Sequence, residues 1–194
     1  EVYGSIDVGS WTEDSPLQPN SPYSAAKAAA EMLVRAYHAT YGMCISSTRC
    51  SNNYGPYQFP EKVIPAFVTR LLLGEKVPLY GDGQNVRDWL HVDDHCQGID
   101  VVLNRGEPGA SYNIGGGEEL TNRELTAHIL NSLQRDWDTC VEYVPDRLGH
   151  DRRYSVNDSR LRTLGYSPKN SFAQGLADTV AWYVDHRPWW EPLL

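Results

Sequence analysis

The sequence predicts an α/β protein assembled from parallel β-α units. Short runs rich in β-branched residues alternate with helical segments of about ten residues or more, an order that favours a parallel sheet over a sandwich. The composition agrees, because 41% hydrophobic and 22% charged residues are typical of a folded globular protein. A length of 194 residues allows one large domain or two small lobes.

The first predicted helix has clear signals at both ends. Ser21 is a suitable N-cap, and Pro22 suits the first helical position, where its missing N–H costs nothing. An alanine-rich run continues to Tyr41, and Gly42 provides a left-handed stop. We therefore expect a helix of about five turns.

The later elements follow from the same kinds of signal. Capping boxes at Thr121–Glu124 and Ser171–Gln174 each predict the start of a helix. In chain order we expect a strand at 44–49, a loop at 51–56, a helix at 63–73 ended by Gly74, a strand at 77–80, an extended segment at 89–92, a helix at 93–105 capped by Asp93 or Asp94, a strand at 111–114, and helices at 121–134 and 171–186.

The charge balance and residue spacings argue against several functions. A formal net charge of -8 repels a nucleic-acid backbone. No apolar run approaches the roughly 18 residues that span a bilayer. The four cysteines are scattered as in a reducing compartment, and the histidines have neither metal-ligand nor hydrolase spacing. We therefore expect a cytoplasmic protein with no nucleic-acid, membrane or metal partner.

Tyr23 and Lys27 form the first candidate for catalysis. Residues four apart on a helix share one face, and a cation beside a phenol favours its ionised form, which makes it a usable base. Such a pair could take a proton from a sugar or alcohol hydroxyl while a hydride leaves. The spacing alone equally fits an aromatic ring and a lysine stem packed together on a helix face.

A second polar group follows the strand at 44–49. Ligands of α/β sheets bind at the C-terminal ends of strands, and amide side chains offer donors and acceptors for sugar or ribose hydroxyls. The same run also fits a simple turn. The group comprises Arg49, Asn52, Asn53, Tyr54 and Tyr57.

A set of cations is unusual in so acidic a chain. Several of them, brought together, would bind a diphosphate, since arginine offers two parallel hydrogen bonds. Each one also fits a solvated surface position. The set is Lys62, Arg87, Arg147, Arg152 and Arg153.

Longer motifs run in order along the whole chain. They are E-V-Y-G at 1–4, P-Y-S-A-A-K at 22–27, S-N-N-Y-G-P-Y-Q-F-P-E-K at 51–62, Y-G-D-G-Q-N-V-R-D-W-L-H-V-D-D-H at 80–95, Y-N-I-G-G at 112–116 and D-R-L-G-H-D-R-R-Y at 146–154. Together they resemble the dTDP-glucose 4,6-dehydratases, NAD-dependent members of the extended short-chain dehydrogenase/reductase superfamily. Leu148 departs from the pattern, because this family usually has proline there.

The resemblance implies a fold and its division into domains. The fold would be the C-terminal part of a Rossmann-type parallel sheet with helices, plus a smaller α/β substrate-binding lobe. Residues 1–55 and 89–115 would belong to the NAD-binding Rossmann domain, and residues 56–88 and 116–194 to the lobe. In the family a Thr-Asp-Glu triplet precedes V-Y-G and a Gly-rich NAD loop lies far upstream, so we expect this chain to be a C-terminal portion without that loop.

The resemblance also implies a role for each matching residue. Tyr23 would deprotonate the hexose 4-hydroxyl, Lys27 would activate it and contact a ribose, and Glu1 would remove the hydrogen on carbon 5. The cofactor would be NAD, which Asn53 also contacts. The substrate would be dTDP-glucose, contacted by Asn52, Lys62, Val63, Pro78, Tyr80, Arg87, Asn122, Arg147 and His150.

The expected activity is dehydration of dTDP-glucose to the 4-keto-6-deoxy sugar, on the way to rhamnose or another deoxysugar. The resemblance further implies a homodimer formed through the helix that carries Tyr23. Two alternatives stay open. One is a nucleotide-sugar 4-epimerase or decarboxylase of the same superfamily. The other, for this chain alone, is a non-catalytic piece that only binds a nucleotide sugar.

Overall fold

The computed structural model describes residues 2–194 as helices joined to short strands. The helices are α1 (Pro22–Tyr41), α2 (Val63–Leu72), α3 (Val92–Arg105), α4 (Asn122–Ser132), α5 (Trp137–Cys140), α6 (Ser159–Thr163), α7 (Phe172–Asp185) and α8 (Arg187–Trp190). The strands are β1 (Ser47–Cys50), β2 (Asn52–Tyr54), β3 (Val77–Tyr80), β4 (Val86–His91), β5 (Ser111–Ile114), β6 (Glu118–Thr121), β7 (Val141–Val144) and β8 (Arg153–Tyr154).

The strands form three small sheets with mainly parallel pairing. β1 pairs with β5 and β3 pairs with β7, both in parallel. In the third sheet β4 is flanked by β2 and β6 and also pairs with β8. The predicted parallel arrangement is confirmed for every pair except β4 with β6, which is antiparallel. Parallel strands joined through helices are what the alternating pattern predicts.

Helix α1 has the predicted bounds and caps. The Ser21 hydroxyl accepts a hydrogen bond from the Ser24 N–H, and Gly42 takes the left-handed conformation with φ of 64°. The capping box at Thr121 is also confirmed, because Thr121 and Glu124 bond to each other's backbone N–H groups.

Other predicted elements need correction. Residues 52–54, predicted as loop, form β2, because their backbone pairs with β4 from Asn52↔Trp89 to Tyr54↔His91. Neither Asp93 nor Asp94 caps α3; the His91 side chain does, by accepting from the Asp93 N–H. The strand predicted at 44–49 begins at Ser47. Pairing between distant segments decided these boundaries, which local propensity does not specify.

Three buried clusters hold these elements together. The largest joins α2, α4, α7 and the β3–β7 sheet, with Ile64, Leu125 and Tyr183 at its centre. A second packs α3 and α6 on β5 around Ile114, and a third surrounds Tyr3 next to α1. Among the described residues, no helix is long and apolar enough to cross a membrane, and no cluster of side chains could hold a metal ion.

Candidate active site

A cavity of about 840 Å³ opens between the β2–β4 strands, helix α2 and the loop that precedes β8. Its lining includes all nine residues that the resemblance gives as substrate contacts. These are Asn52, Lys62, Val63, Pro78, Tyr80, Arg87, Asn122, Arg147 and His150. They come from six separate stretches of the chain, so the folded structure alone brings them together.

The floor of the cavity is one face of the β2–β4 pair. Side chains two apart on a strand share a face, so Arg87 and Trp89 lie together on β4, with Asn52 opposite Trp89 in register. Arg87 is 4% exposed and donates to the backbone oxygens of Val86 at 2.7 Å and Asp151 at 2.9 Å. The fold therefore holds a buried positive charge at the cavity floor.

A second cation is oriented by a short polar network on the loop before β8. Arg147 Nη2 lies 2.9 Å from His150 Nε2, and its guanidinium lies over the Tyr80 ring, 5.3 Å from the centroid. His150 Nδ1 is 2.7 Å from Asp146 Oδ1, and this hydrogen bond holds the pKa of Asp146 below its ordinary value. When the carboxylate accepts from Nδ1–H, the free Nε2 accepts from Arg147.

Lys62 stands at the mouth of the cavity. Its ammonium is 2.7 Å from the Glu61 carboxylate, and both side chains are more than half exposed. An exposed pair of this kind contributes little to stability, so an incoming anion can replace Glu61 at small cost. Val63 and Pro78 add apolar surface to the same walls.

Tyr23 and Lys27 share a face of α1, as their spacing predicts. The Lys27 ammonium lies 6.0 Å from the centroid of the Tyr23 ring, and Tyr23 is 68% exposed. The pair does not line the cavity. The segment just before α1 is connected to the loop before β8 by a hydrogen bond, in which Asn20 Nδ2 donates to Asp151 Oδ1 at 2.6 Å.

The residues expected to contact NAD fit one end of that cofactor. Asn53 Oδ1 is buried without a hydrogen-bond partner, while its Nδ2 donates to the Ser51 carbonyl oxygen at 3.1 Å. The amide oxygen of Asn53, the exposed phenol of Tyr23 and the ammonium of Lys27 can form hydrogen bonds with the hydroxyls of a ribose and the amide of a nicotinamide. Glu1, expected as the base at carbon 5, lies outside the described residues.

Some expected residues lie elsewhere. Arg152 pairs with Asp82, Arg153 with Glu119, and Arg49 with Glu31. These arginines are held in ion pairs, and none lines the cavity. Tyr54 is in the hydrophobic core, and Tyr57 packs on Trp182 with ring centroids 4.5 Å apart. Of the polar group after the strand, only Asn52 lines the cavity.

Residues near the site that were not predicted from the sequence include Trp89 and Asp88. Trp89 lines the cavity, and its indole N–H is buried without a partner. Asp88 accepts from the Ser51 hydroxyl and from the Gly116 and Glu118 N–H groups, which ties β4 to the start of β2 and to β6. Burial raises the pKa of the Asp88 carboxyl. Both lie in the R-D-W motif, where alternation along a strand would have placed Trp89 beside Arg87.

Comparison with known proteins places the chain in a family. The family model described as GDP-mannose 4,6 dehydratase matches residues 1–179. The chain belongs to this family. Within the GDP-mannose 4,6 dehydratase family, the resemblance drawn from the motifs is confirmed by a dTDP-glucose 4,6-dehydratase of Streptomyces griseus, 60% identical over the whole chain. The chain covers 59% of that relative and 58% of one from Streptomyces antibioticus, so it spans about three fifths of their length.

Solved structures confirm the α/β Rossmann-type fold. The dTDP-glucose 4,6-dehydratase DesIV of Streptomyces venezuelae, solved with NAD bound, is 62% identical with a TM-score of 0.98, over 100% of this chain and 60% of that one. A UDP-glucose 4-epimerase of Thermus thermophilus, also solved with NAD, is 32% identical with a TM-score of 0.89, over 95% of this chain and 61% of that one.

Proposed function

We propose that the protein, at its full natural length, dehydrates dTDP-glucose to dTDP-4-keto-6-deoxyglucose with NAD as cofactor. The observation that carries this proposal is that one cavity is lined by all nine residues that the resemblance gives as substrate contacts. The activity is assigned to the full-length protein because the chain spans about three fifths of its relatives. The residues of this chain provide only part of an NAD site.

The cations of the cavity would hold the diphosphate. Arg87 supplies a buried guanidinium, and Arg147 supplies an exposed one aligned by His150. Lys62 adds an exposed ammonium. Charge-assisted hydrogen bonds to phosphate are strong in a partly desolvated site. Uncharged polar groups on Asn52 and Asn122 remain for sugar or base hydroxyl and carbonyl groups.

The chemistry would then be divided between α1 and the first residue of the chain. Tyr23, with the ammonium of Lys27 on the same face of α1, would take the proton of the hexose 4-hydroxyl as the carbonyl forms. NAD, when bound, accepts the hydride from carbon 4 and returns it to carbon 6. The new ketone acidifies the hydrogen on carbon 5, which Glu1 would remove. The hydroxyl on carbon 6 would then leave as water, with its proton supplied by the aspartate that precedes this glutamate in the family's Thr-Asp-Glu triplet.

The finer assignments are proposals of the same kind. Residues 1–55 and 89–115 would form part of the NAD-binding domain, and residues 56–88 and 116–194 the substrate lobe. The base would be thymine, the product would feed a deoxysugar such as rhamnose, and the enzyme would act in the cytoplasm. A homodimer is supported by α1, on which the large side chains of Leu33, Tyr37 and Tyr41 are exposed along one face.

Product analysis tests the proposed reaction. The full-length protein is incubated with dTDP-glucose and NAD, and the ultraviolet absorbance of the keto sugar in alkali is followed, with UDP-glucose as the control substrate. We expect the keto sugar from dTDP-glucose and little from UDP-glucose. Recovery of the 4-epimer would instead support an epimerase, the activity named for the Thermus thermophilus structure. Turnover of neither sugar would contradict both.

A further inference from the structure

Asp151 is the residue through which the cavity and helix α1 are joined. It is 6% exposed, and its two polar ends face different parts of the molecule. Its backbone oxygen accepts from Arg87 Nη2 at 2.9 Å and from Asn85 Nδ2 at 3.3 Å. Its carboxylate accepts from Asn20 Nδ2 at 2.6 Å. One residue thus bonds both to the cavity floor and to the segment that leads into α1.

Asn20 is close to the proposed chemistry. It immediately precedes Ser21, the N-cap of α1, and stands three positions before Tyr23. The Ser21 hydroxyl and carbonyl accept from the N–H groups of Ser24 and Ala25, which fixes the cap to the first turn of α1. Asn20 is therefore joined through Ser21 to the turn that carries Tyr23.

A second contact supports the same connection. Gly149 has φ of 68°, and a Cβ atom there would lie 2.9 Å from the backbone oxygen of Asn20. The loop that carries Arg147 and His150 therefore packs closely against the backbone of Asn20, while Asp151 bonds to its side chain. Two independent contacts link this loop to the entry of α1.

We propose that Asp151 is a positioning residue, which couples diphosphate binding by Arg87 and Arg147 to the placement of Tyr23 through its hydrogen bond to Asn20. This inference rests on the proposed function, because it needs the cavity to bind a nucleotide diphosphate. Asp151 itself touches neither substrate nor cofactor in this scheme. Because the coupling is a free energy that links the cavity to the start of α1, ligand binding in the cavity should change the stability of α1 even without turnover.

The test reverses the polarity of the hydrogen bond. In Asn20→Asp two carboxylates face each other, which breaks the contact. In the double variant N20D/D151N, the new amide at position 151 donates to the new carboxylate at position 20, which restores it. Asn104→Asp is the matched control, because Asn104 also donates to an aspartate, Asp100 at 3.0 Å, but on the exposed surface of α3.

The measurement is hydrogen exchange in α1 of the full-length protein, with and without dTDP. In the wild type and in Asn104→Asp, we expect dTDP to slow hydrogen exchange in the segment 23–27 by about fivefold or more. In Asn20→Asp this protection should be lost, and in the double variant it should return. Turnover of dTDP-glucose should fall about tenfold in Asn20→Asp and recover in the double variant, while the dTDP dissociation constant changes little.

Each other outcome overturns a specific statement. A wild type that binds no dTDP contradicts the proposed function and, with it, the coupling. Binding of dTDP without protection of α1, or equal protection in Asn20→Asp, contradicts the coupling alone. Two results would show that Asn20 and Asp151 have only a structural role. One is a double variant that stays as impaired as Asn20→Asp, and the other is a loss of both dTDP affinity and melting temperature in Asn20→Asp.

Discussion

At the scale of single residues, the site depends on charges whose partners are set by the fold. Arg87, Arg147, Arg152 and Arg153 look alike in the sequence, yet two line the cavity and two are held in ion pairs outside it. Only tertiary contacts distinguish them, such as the Asp82 carboxylate beside Arg152. The function of an arginine here is therefore determined by where the fold places its guanidinium, inside or outside the cavity.

Replacing Tyr23 by phenylalanine removes the proposed base and keeps the ring. Because Tyr23 is 68% exposed, its hydroxyl contributes nothing to the core. We expect turnover of dTDP-glucose by the full-length protein to fall by about two orders of magnitude or more, with dTDP affinity unchanged.

The control for this substitution is Tyr143→Phe, which removes an exposed hydroxyl that accepts from Arg123 and does not line the cavity. Tyr143→Phe should change neither the turnover of dTDP-glucose nor the affinity for dTDP. Equal losses of turnover and affinity in Tyr23→Phe would show that the phenol has a structural role.

Replacing Arg147 by glutamine removes a charge from the cavity. A charge-assisted hydrogen bond to phosphate contributes enough that its loss should weaken dTDP binding about tenfold or more. Thymidine, which has no phosphate, should bind equally well to the variant and the wild type. Titration calorimetry with both ligands measures the difference.

Arg152→Gln is the matched control, because Arg152 is a loop arginine five positions away whose guanidinium pairs with Asp82 outside the cavity. Its dTDP affinity should equal that of the wild type. A loss of thymidine binding in Arg147→Gln would contradict a role limited to the diphosphate.

At the scale of helices and strands, elements with local signals were predictable and those made by pairing were not. Ser21, Pro22 and Gly42 define α1 by their own conformational preferences, so its bounds were correct. The Asn52–Tyr54 segment has turn-like residues and becomes strand only because β4 lies alongside it. β6 was missed for the same reason, since its register is set by β4.

The capping box of α4 offers a test of acid sensitivity at this scale. The backbone and side chain of Thr121 donate to the Glu124 carboxylate, which holds its pKa below the usual 4.5. A depressed pKa means that the carboxylate stabilises the fold above pH 4.5 and that this contribution disappears as the pH falls through the folded value.

Glu124→Gln should therefore lower the free energy of unfolding by about 0.5 kcal/mol at pH 7, a small value because the group is exposed, and by less at pH 4. Urea denaturation at both pH values measures this. Ser171→Ala, which removes the uncharged cap of α7, should lower stability equally at both. A pH-independent effect of Glu124→Gln would contradict the role of its charge.

At the scale of the whole molecule, the nine proposed substrate contacts line one cavity, but the sequence does not record the connections around it. These nine residues come from six stretches spread from Asn52 to His150. The bonds of Asp146 to His150 and of Asp151 to Asn20 depend on distances between segments that no local pattern records. The resemblance therefore indicates which residues belong to the site, whereas the hydrogen bonds between them can be found only from the coordinates.

Helix α1 has a largely exposed surface. Of its residues only Ser24 and Ala28 are buried, although the helix is rich in alanine and carries Leu33, Tyr37 and Tyr41 on one exposed face. An apolar surface of this kind is normally covered in solution. A second copy of the protein, packed helix against helix, would cover it and bring two catalytic helices together.

A charge introduced on that face should separate the two copies. Leu33 is 62% exposed, so Leu33→Glu leaves the core intact but places a carboxylate opposite its symmetry mate in the proposed homodimer. We expect light scattering to give a dimer mass for the full-length wild type and a monomer mass for Leu33→Glu. Val184→Glu, a similar change on the exposed face of α7, should remain a dimer. A wild type that is monomeric at micromolar concentration, or a Leu33→Glu variant that stays dimeric, would show that α1 is covered by something other than a second copy.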